Sequence, residues 1–246
     1  MSPFQQIELA GNIEVIDDGT IFKNTRLGKL VEEFVFHQLK NQDSISWICD
    51  NLQVQDGKRT VGEIDALYFQ TGRPVHLEVA YKFYLYDTNG NHDEPLARWI
   101  GPNRKDNLFY KLTKFHTRQF PLLKNALTKK YLEQLGLNVK DIRQELCFKA
   151  QLFLPYQGRA IDVSPLNRDC IAGYYLPYHK IELFKHLEFF VPAKLDWLVV
   201  PHQDVNWLSY ASGVKAVEMD INCERSPMVW LRDIDGNLCK CFIVFW

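Results

Sequence analysis

The chain has 246 residues, 46 % hydrophobic and 24 % charged, the balance of a globular protein large enough to bury a core. No apolar run approaches the roughly 18 to 20 residues that a membrane-crossing helix needs, and Met1, Ser2, Pro3 and Phe4 do not open a basic segment followed by an apolar stretch, so a cytoplasmic location is expected. A net charge of −1 argues against a protein that coats nucleic acid through its overall charge, and six scattered cysteines without close pairing read as reduced thiols rather than a zinc site.

Arg26 to Lys40 predicts an amphipathic helix, with Leu27, Leu30, Val31, Phe34, Val35 and Leu39 at helical spacing and Thr25 as its N-cap. The period then falls to two. Strands are expected over Ser46 to Val54, Val61 to Phe69 and Val75 to Leu85. The last alternates Val75, Leu77, Val79, Tyr81 and Phe83 with a polar face of His76, Glu78, Ala80 and Lys82. Gln70 to Arg73 reads as a four-residue hairpin loop ahead of Pro74.

Helical spacing returns from Asp106 to about Lys124, and again from Asn125 to Leu135, ended by Gly136. Cys147 to Leu154 reads as a further strand stopped at Pro155. Beyond it, turns and aromatics increase. Met228 to Arg232 and Leu238 to Phe245 form an expected hairpin across Asp235, Gly236 and Asn237. The expected organisation is therefore a core over residues 20–155, in the order helix, three strands, helix, strand, with a smaller α+β extension over 156–246.

Charge is distributed unevenly along this order. Arg98 to Arg143 holds eleven basic and three acidic residues, a local net of +8 that leaves −9 for everything else. Among Lys111, Lys114, Arg118 and Gln119, the three cations, three and four apart, make a helical stripe suited to successive phosphates, and Arg104 is a candidate on the preceding loop.

If the hairpin pairs Phe69 with Pro74, the register puts Asp65 opposite Glu78, with Cβ atoms about 4.5 to 5.5 Å apart. Lys82 shares the strand face of Glu78. Two crowded carboxylates make chemical sense around a divalent cation, and an oxygen-only ligand set suits Mg²⁺ or Mn²⁺ acting on a phosphodiester. Glu32 or Glu33 on the first helix would complete such a site, since only one of them can point inward. The bland alternative is a solvated sheet face carrying a weak ion pair.

The run Gly62, Glu63, Ile64, Asp65, followed by His76, Leu77, Glu78, Val79, Ala80, Tyr81, Lys82, resembles the acidic hairpin of the PD-(D/E)XK nucleases. More narrowly, Leu27, Gly28 and Glu32, the Glu78 to Leu85 strand, Trp99 to Asn103 and the Lys111 to Gln119 helix resemble a bacterial family of unassigned function within that superfamily. The resemblance covers about residues 20 to 155. It implies a restriction-endonuclease-like α/β (α+β) core with a mixed central sheet, and hydrolysis of nucleic acid, DNA above all. It further implies Asp65 and Glu78 as metal ligands, Lys82 as the catalytic lysine and Glu32 as the helix-borne acid. The sequence departs from the superfamily pattern in one place: the lysine follows the acid by four residues instead of two, a displacement of about 6.6 Å along the strand, and Ala80 holds the usual position. The alternative reading is an inactive nucleic-acid-binding or protein-interaction module on the same fold.

Overall fold

The computed structural model describes residues 5–7, 26–158 and 160–246. In chain order its elements are β1 (Gln5–Gln6), α1 (Leu27–Lys40), β2 (Ile45–Asp56), β3 (Arg59–Gln70), β4 (Arg73–Tyr86), β5 (Trp99–Ile100), α2 (Leu108–Lys114), α3 (Phe120–Leu122), α4 (Ala126–Gln134), β6 (Arg143–Pro155), β7 (Ile171–Pro177), β8 (Glu188–Phe190), α5 (Tyr210–Asn222), β9 (Met228–Arg232) and β10 (Leu238–Val244). The fold is α+β with mixed strand pairing. Two compact units form: residues 1–81 with 112–149, and residues 82–111 with 150–246. The second unit thus takes in Lys82 to Lys111 as well as the C-terminal region, and β4, α2 and β6 each continue along the chain from one unit into the other.

In the first unit β2, β3 and β4 form an antiparallel meander, β6 follows β4 in the strand order, and β1 runs parallel to β6. The β3–β4 connection is tighter than expected. Gln70 pairs with Arg73, so only Thr71 (φ 47°) and Gly72 (φ 79°) make the turn. Two consecutive left-handed residues match the twist of a two-residue hairpin, and glycine takes the second position without strain.

Helix α1 buries Leu27, Val31, Val35, Phe36 and Leu39, whereas Phe34 is 40 % exposed. Thr25, the expected N-cap, lies outside the described residues. Val54, Ile64 and Leu67 form one core with Leu122, Leu123, Leu132, Leu137 and Ile142, and Ala80 packs in another with Phe115, Phe120 and Leu146. Helical packing therefore covers residues that the alternation assigned to a polar, half-solvated face. His76 and Glu78 are both fully buried, because β4 is an interior strand with side chains packed on each face.

The second helical region also differs from a single helix over 106–124. Between α2 and α3 the chain makes a wide π-turn over Phe115–Gln119, and the Phe120 N–H bonds to the Phe115 carbonyl. The width has a packing reason. Phe115 and Phe120 are both buried, and residues five apart face the same way in a π-turn but diverge in an α-helix.

In the second unit β7 pairs in parallel with the end of β6 and with β10, while β10, β9 and β8 are antiparallel. The β9–β10 hairpin closes at Arg232 and Leu238, with the Asp233 carboxylate accepting from Asn237 and Gly236 at φ 83°. Helix α5 approaches so closely that a Cβ on Gly213 would meet the Phe189 ring at 2.5 Å. None of the six cysteines is in a disulfide. Among the described residues no helix is long and apolar enough to cross a membrane.

Candidate functional site: a buried acid pair at the β3–β4 hairpin

The hairpin pairs Phe69 with Pro74, Tyr68 with Val75, Leu67 with His76 and Ala66 with Leu77. Asp65 and Glu78 are the next rung of this register. There the ladder gives way to a side-chain contact, and Asp65 Oδ2 accepts the Val79 N–H at 2.8 Å. Asp65 is 7 % exposed and Glu78 is 0 % exposed, so two carboxyl groups are held out of water on adjacent strands. Burial and the charge of Glu78 push the Asp65 carboxyl up to about 7, against the opposing Val79 N–H and Lys29.

Glu78 is fixed at both oxygens. His76 Nε2 lies 2.8 Å from Oε1, and Gln119 Nε2, from the π-turn, lies 2.5 Å from Oε2. The chemistry of the histidine follows from its neighbours. Gln144 Nε2 contacts His76 Nδ1 at 3.1 Å and also donates to the Phe120 carbonyl at 2.8 Å; a carbonyl can only accept, so the Gln144 nitrogen is the donor and Nδ1 the acceptor. Nε2 then carries the hydrogen and donates to Glu78. Burial lowers His76 to about 4 despite the charge of Asp65, so the contact is a hydrogen bond from a neutral imidazole.

A third and a fourth carboxylate belong to the same region. Lys29 Nζ on α1 lies 2.6 Å from Glu32 Oε2, 2.7 Å from Glu63 Oε1 and 2.9 Å from Asn51 Oδ1, joining α1 to β2 and β3. Burial pushes the Glu32 carboxyl up to about 7 against the nearby ammonium, and the charges of Asp65 and Glu63 add to the rise. Glu32 is thus the acid of the Glu32–Glu33 pair that senses the hairpin carboxylates. The Lys29 ammonium is desolvated, yet its bonds to Glu32 and Glu63 hold its pKa well above the ordinary lysine value.

Other expected residues are engaged elsewhere. Lys82 pairs with Asp106 at 2.6 Å, with both side chains about one-third exposed. Arg104, at φ 56°, donates to Asp87 at 2.9 Å and lies 4.6 Å over the Trp246 ring. Lys114 and Arg118 are exposed and Lys111 is half-buried, whereas Gln119, expected beside them on the same surface, turns to Glu78. Lys29 and Glu63 were missed although their positions carried a signal: Lys29 precedes Glu32 by one helical turn, and Glu63 shares the β3 face of Asp65. Gln144 gave none, because it reaches His76 from 68 residues away.

Among the described residues no three His, Cys, Asp or Glu side chains come together as a ready ligand cage. A family model described as a domain of unknown function (DUF1853) matches residues 12–237. No curated protein and no solved structure matches the chain.

Proposed function

The chain belongs to the DUF1853 family, and on that premise we propose that it is a magnesium- or manganese-dependent nuclease of PD-(D/E)XK type, hydrolysing phosphodiester bonds in DNA. The observation that carries this reading is the buried Asp65–Glu78 pair, two acids held together on neighbouring strands where one is driven to keep its proton. A divalent cation relieves that misfit. The donor chemistry suits the hard ions: Mg²⁺ takes one or two carboxylates and completes its shell from waters and a substrate phosphate, so no closed protein cage is required. Asp65 and Glu78 would hold the ion. When bound, it would supply a water of lowered pKa and neutralise charge building up on the phosphate.

The protein's own part is orientation. His76 and Gln119 fix the carboxylate plane of Glu78, and the Val79 N–H fixes Asp65. Glu32 is available to accept a hydrogen bond from the attacking water. In hydrolysis the water oxygen would bond to phosphorus as one phosphate ester bond broke, with the released proton passing to solvent and the departing alkoxide taking one from solvent. Lys111, Lys114 and Arg118 would contact flanking phosphates.

The test is cleavage of end-labelled DNA in Mg²⁺ or Mn²⁺ by the wild type, Asp65→Asn and Glu78→Gln. Metal-dependent cutting is expected for the wild type alone, and cutting that survives both substitutions overturns the site. Ala80 at the usual lysine position favours a second reading, a binding module that does not cut; retention of DNA without cleavage under every metal would select it.

A further inference from the structure

We infer that Lys29, reaching in from α1, is the catalytic amine of this site, in the role that the family resemblance implied for Lys82. The inference rests on the nuclease reading above and assigns one more of its parts. Ala80 packs against Phe115, Phe120 and Leu146 and offers no amine, and Lys82 pairs with Asp106, whereas the positive charge that Asp65 feels is that of Lys29. Lys29 is placed differently. Its three N–H donors meet three acceptors, Glu32, Glu63 and Asn51, on three separate elements, so the ammonium is aimed by the fold rather than by its own flexible stem.

Asp65 lies two residues beyond Glu63 on the same face of β3 and feels the charge of Lys29. The ammonium is therefore a positive group built into the acid cluster, paired with Glu32 and Glu63 and felt by Asp65. Two carboxylates in contact keep it protonated, which suits a donor and excludes a proton acceptor. Its task is electrostatic: to present a fixed positive charge that stabilises charge accumulating on the phosphate oxygens. Its side chain is 36 % exposed, so a phosphate can approach it without unfolding α1.

The test compares Lys29→Met, Lys29→Arg and Lys82→Met, reading kcat and KM for labelled DNA in Mn²⁺, and separately Mn²⁺ affinity of the DNA-free protein by calorimetry. Lys29→Met is expected to lower kcat by about 100-fold or more with KM changed less than about threefold. Its Mn²⁺ affinity should be unchanged or tighter, since a competing cation has gone. The loss at Lys29 should exceed that at Lys82 by at least about tenfold. Lys29→Arg, which keeps the charge and protects folding, should recover part of kcat. Four results overturn the inference. If Lys29→Met cuts normally while Asp65→Asn is dead, Lys29 is not the amine although the nuclease reading stands. A larger loss at Lys82 than at Lys29 returns the role to Lys82. If Lys29→Met loses Mn²⁺ affinity by more than about tenfold, Lys29 merely holds the carboxylates in place. If the wild type cuts no nucleic acid, the nuclease reading fails and this role falls with it.

Discussion

Asp65 in the first unit and Asp87 in the second are both buried, at 7 % and 1 % exposure, yet they carry opposite electrostatics. Around Asp87, burial pushes the carboxyl up, but the Asn89 and Gly90 N–H groups, His92 and the Arg104 guanidinium outweigh it and hold the acid below its ordinary value. Around Asp65 one backbone donor faces burial and a second acid, and the balance falls the other way. A buried charge surrounded by donors has a structural purpose. A buried charge pressed against another of the same sign is a misfit that folding alone would not retain, and such misfits concentrate where a ligand or a reaction supplies the missing countercharge.

The sharpest way to break this contrast is activity. On the proposed function, Asp65→Asn and Glu78→Gln are expected to reduce metal-dependent DNA cleavage by on the order of 1000-fold, because each removes a carboxylate that would hold the ion. Asp87→Asn, measured per folded molecule, should stay within about threefold of wild type. Equal losses at all three positions would mean that the two aspartates do not differ in kind.

Stability should invert the ranking. Asp87→Ala leaves two backbone N–H groups, His92 and Arg104 without their acceptor and is expected to destabilise the protein by about 3 kcal/mol. Asp65→Asn keeps an oxygen for the Val79 N–H and removes the repulsion with Glu78, so without metal it should be neutral or stabilising by about 1 to 2 kcal/mol at pH 8. Urea unfolding of both variants in EDTA measures the difference, and a destabilised Asp65→Asn would remove the misfit from the account.

The same imbalance predicts a pH dependence. Asp65 and Glu32 have folded values of about 7, above their ordinary 3.8 and 4.5, so their contribution to folding is complete below those ordinary values and is lost as pH rises toward 7. His76, lowered from 6.5 to about 4, acts in reverse: its contribution is complete above 6.5 and is lost as pH falls toward 4. Between about 4.5 and 6.5 two acids oppose one imidazole, and from 6.5 to 7 the acids act alone. The metal-free protein should therefore melt several degrees lower at pH 8 than at pH 6, and Asp65→Asn should flatten that slope. Mg²⁺ at saturating concentration should cancel it. A melting temperature that climbs from pH 6 to pH 8 in EDTA would contradict the assignment.

Much of the hairpin was readable because its determinants are local. A period of two, a turn rich in Thr and Gly and one paired position fix the register, which makes Asp65 and Glu78 neighbours without further information. The burial of that rung was not readable, since His76, Glu78 and Ala80 look like a solvated face until Phe115, Phe120 and Leu146 close over the strand. The partners of the acids were hidden for a related reason. Gln119 looked like one more polar position beside a basic stripe, and the π-turn directs it to Glu78. Lys29 was concealed by its charge, which reads as solvent-facing on any amphipathic helix. Distant tertiary contacts decide these roles, and periodicity does not encode them.

The basic surface offers the smallest and most graded effect. The net of +8 between Arg98 and Arg143 is real at the level of sequence, but its members are not equivalent. Arg104 is held by Asp87 and Trp246, whereas Lys114 and Arg118 project into solvent. If the exposed pair contacts the phosphate backbone, Lys114→Ala and Arg118→Ala should each weaken DNA binding by about three- to tenfold at moderate salt and lower the salt slope of log K by about one. Arg104→Ala should weaken folding more than it changes that slope, because its partners are in the protein. Binding measured at several salt concentrations with an uncleavable duplex separates the two effects. A slope change at Arg104 with none at Lys114 or Arg118 would move the nucleic-acid surface from the helix to the loop that follows Gly101.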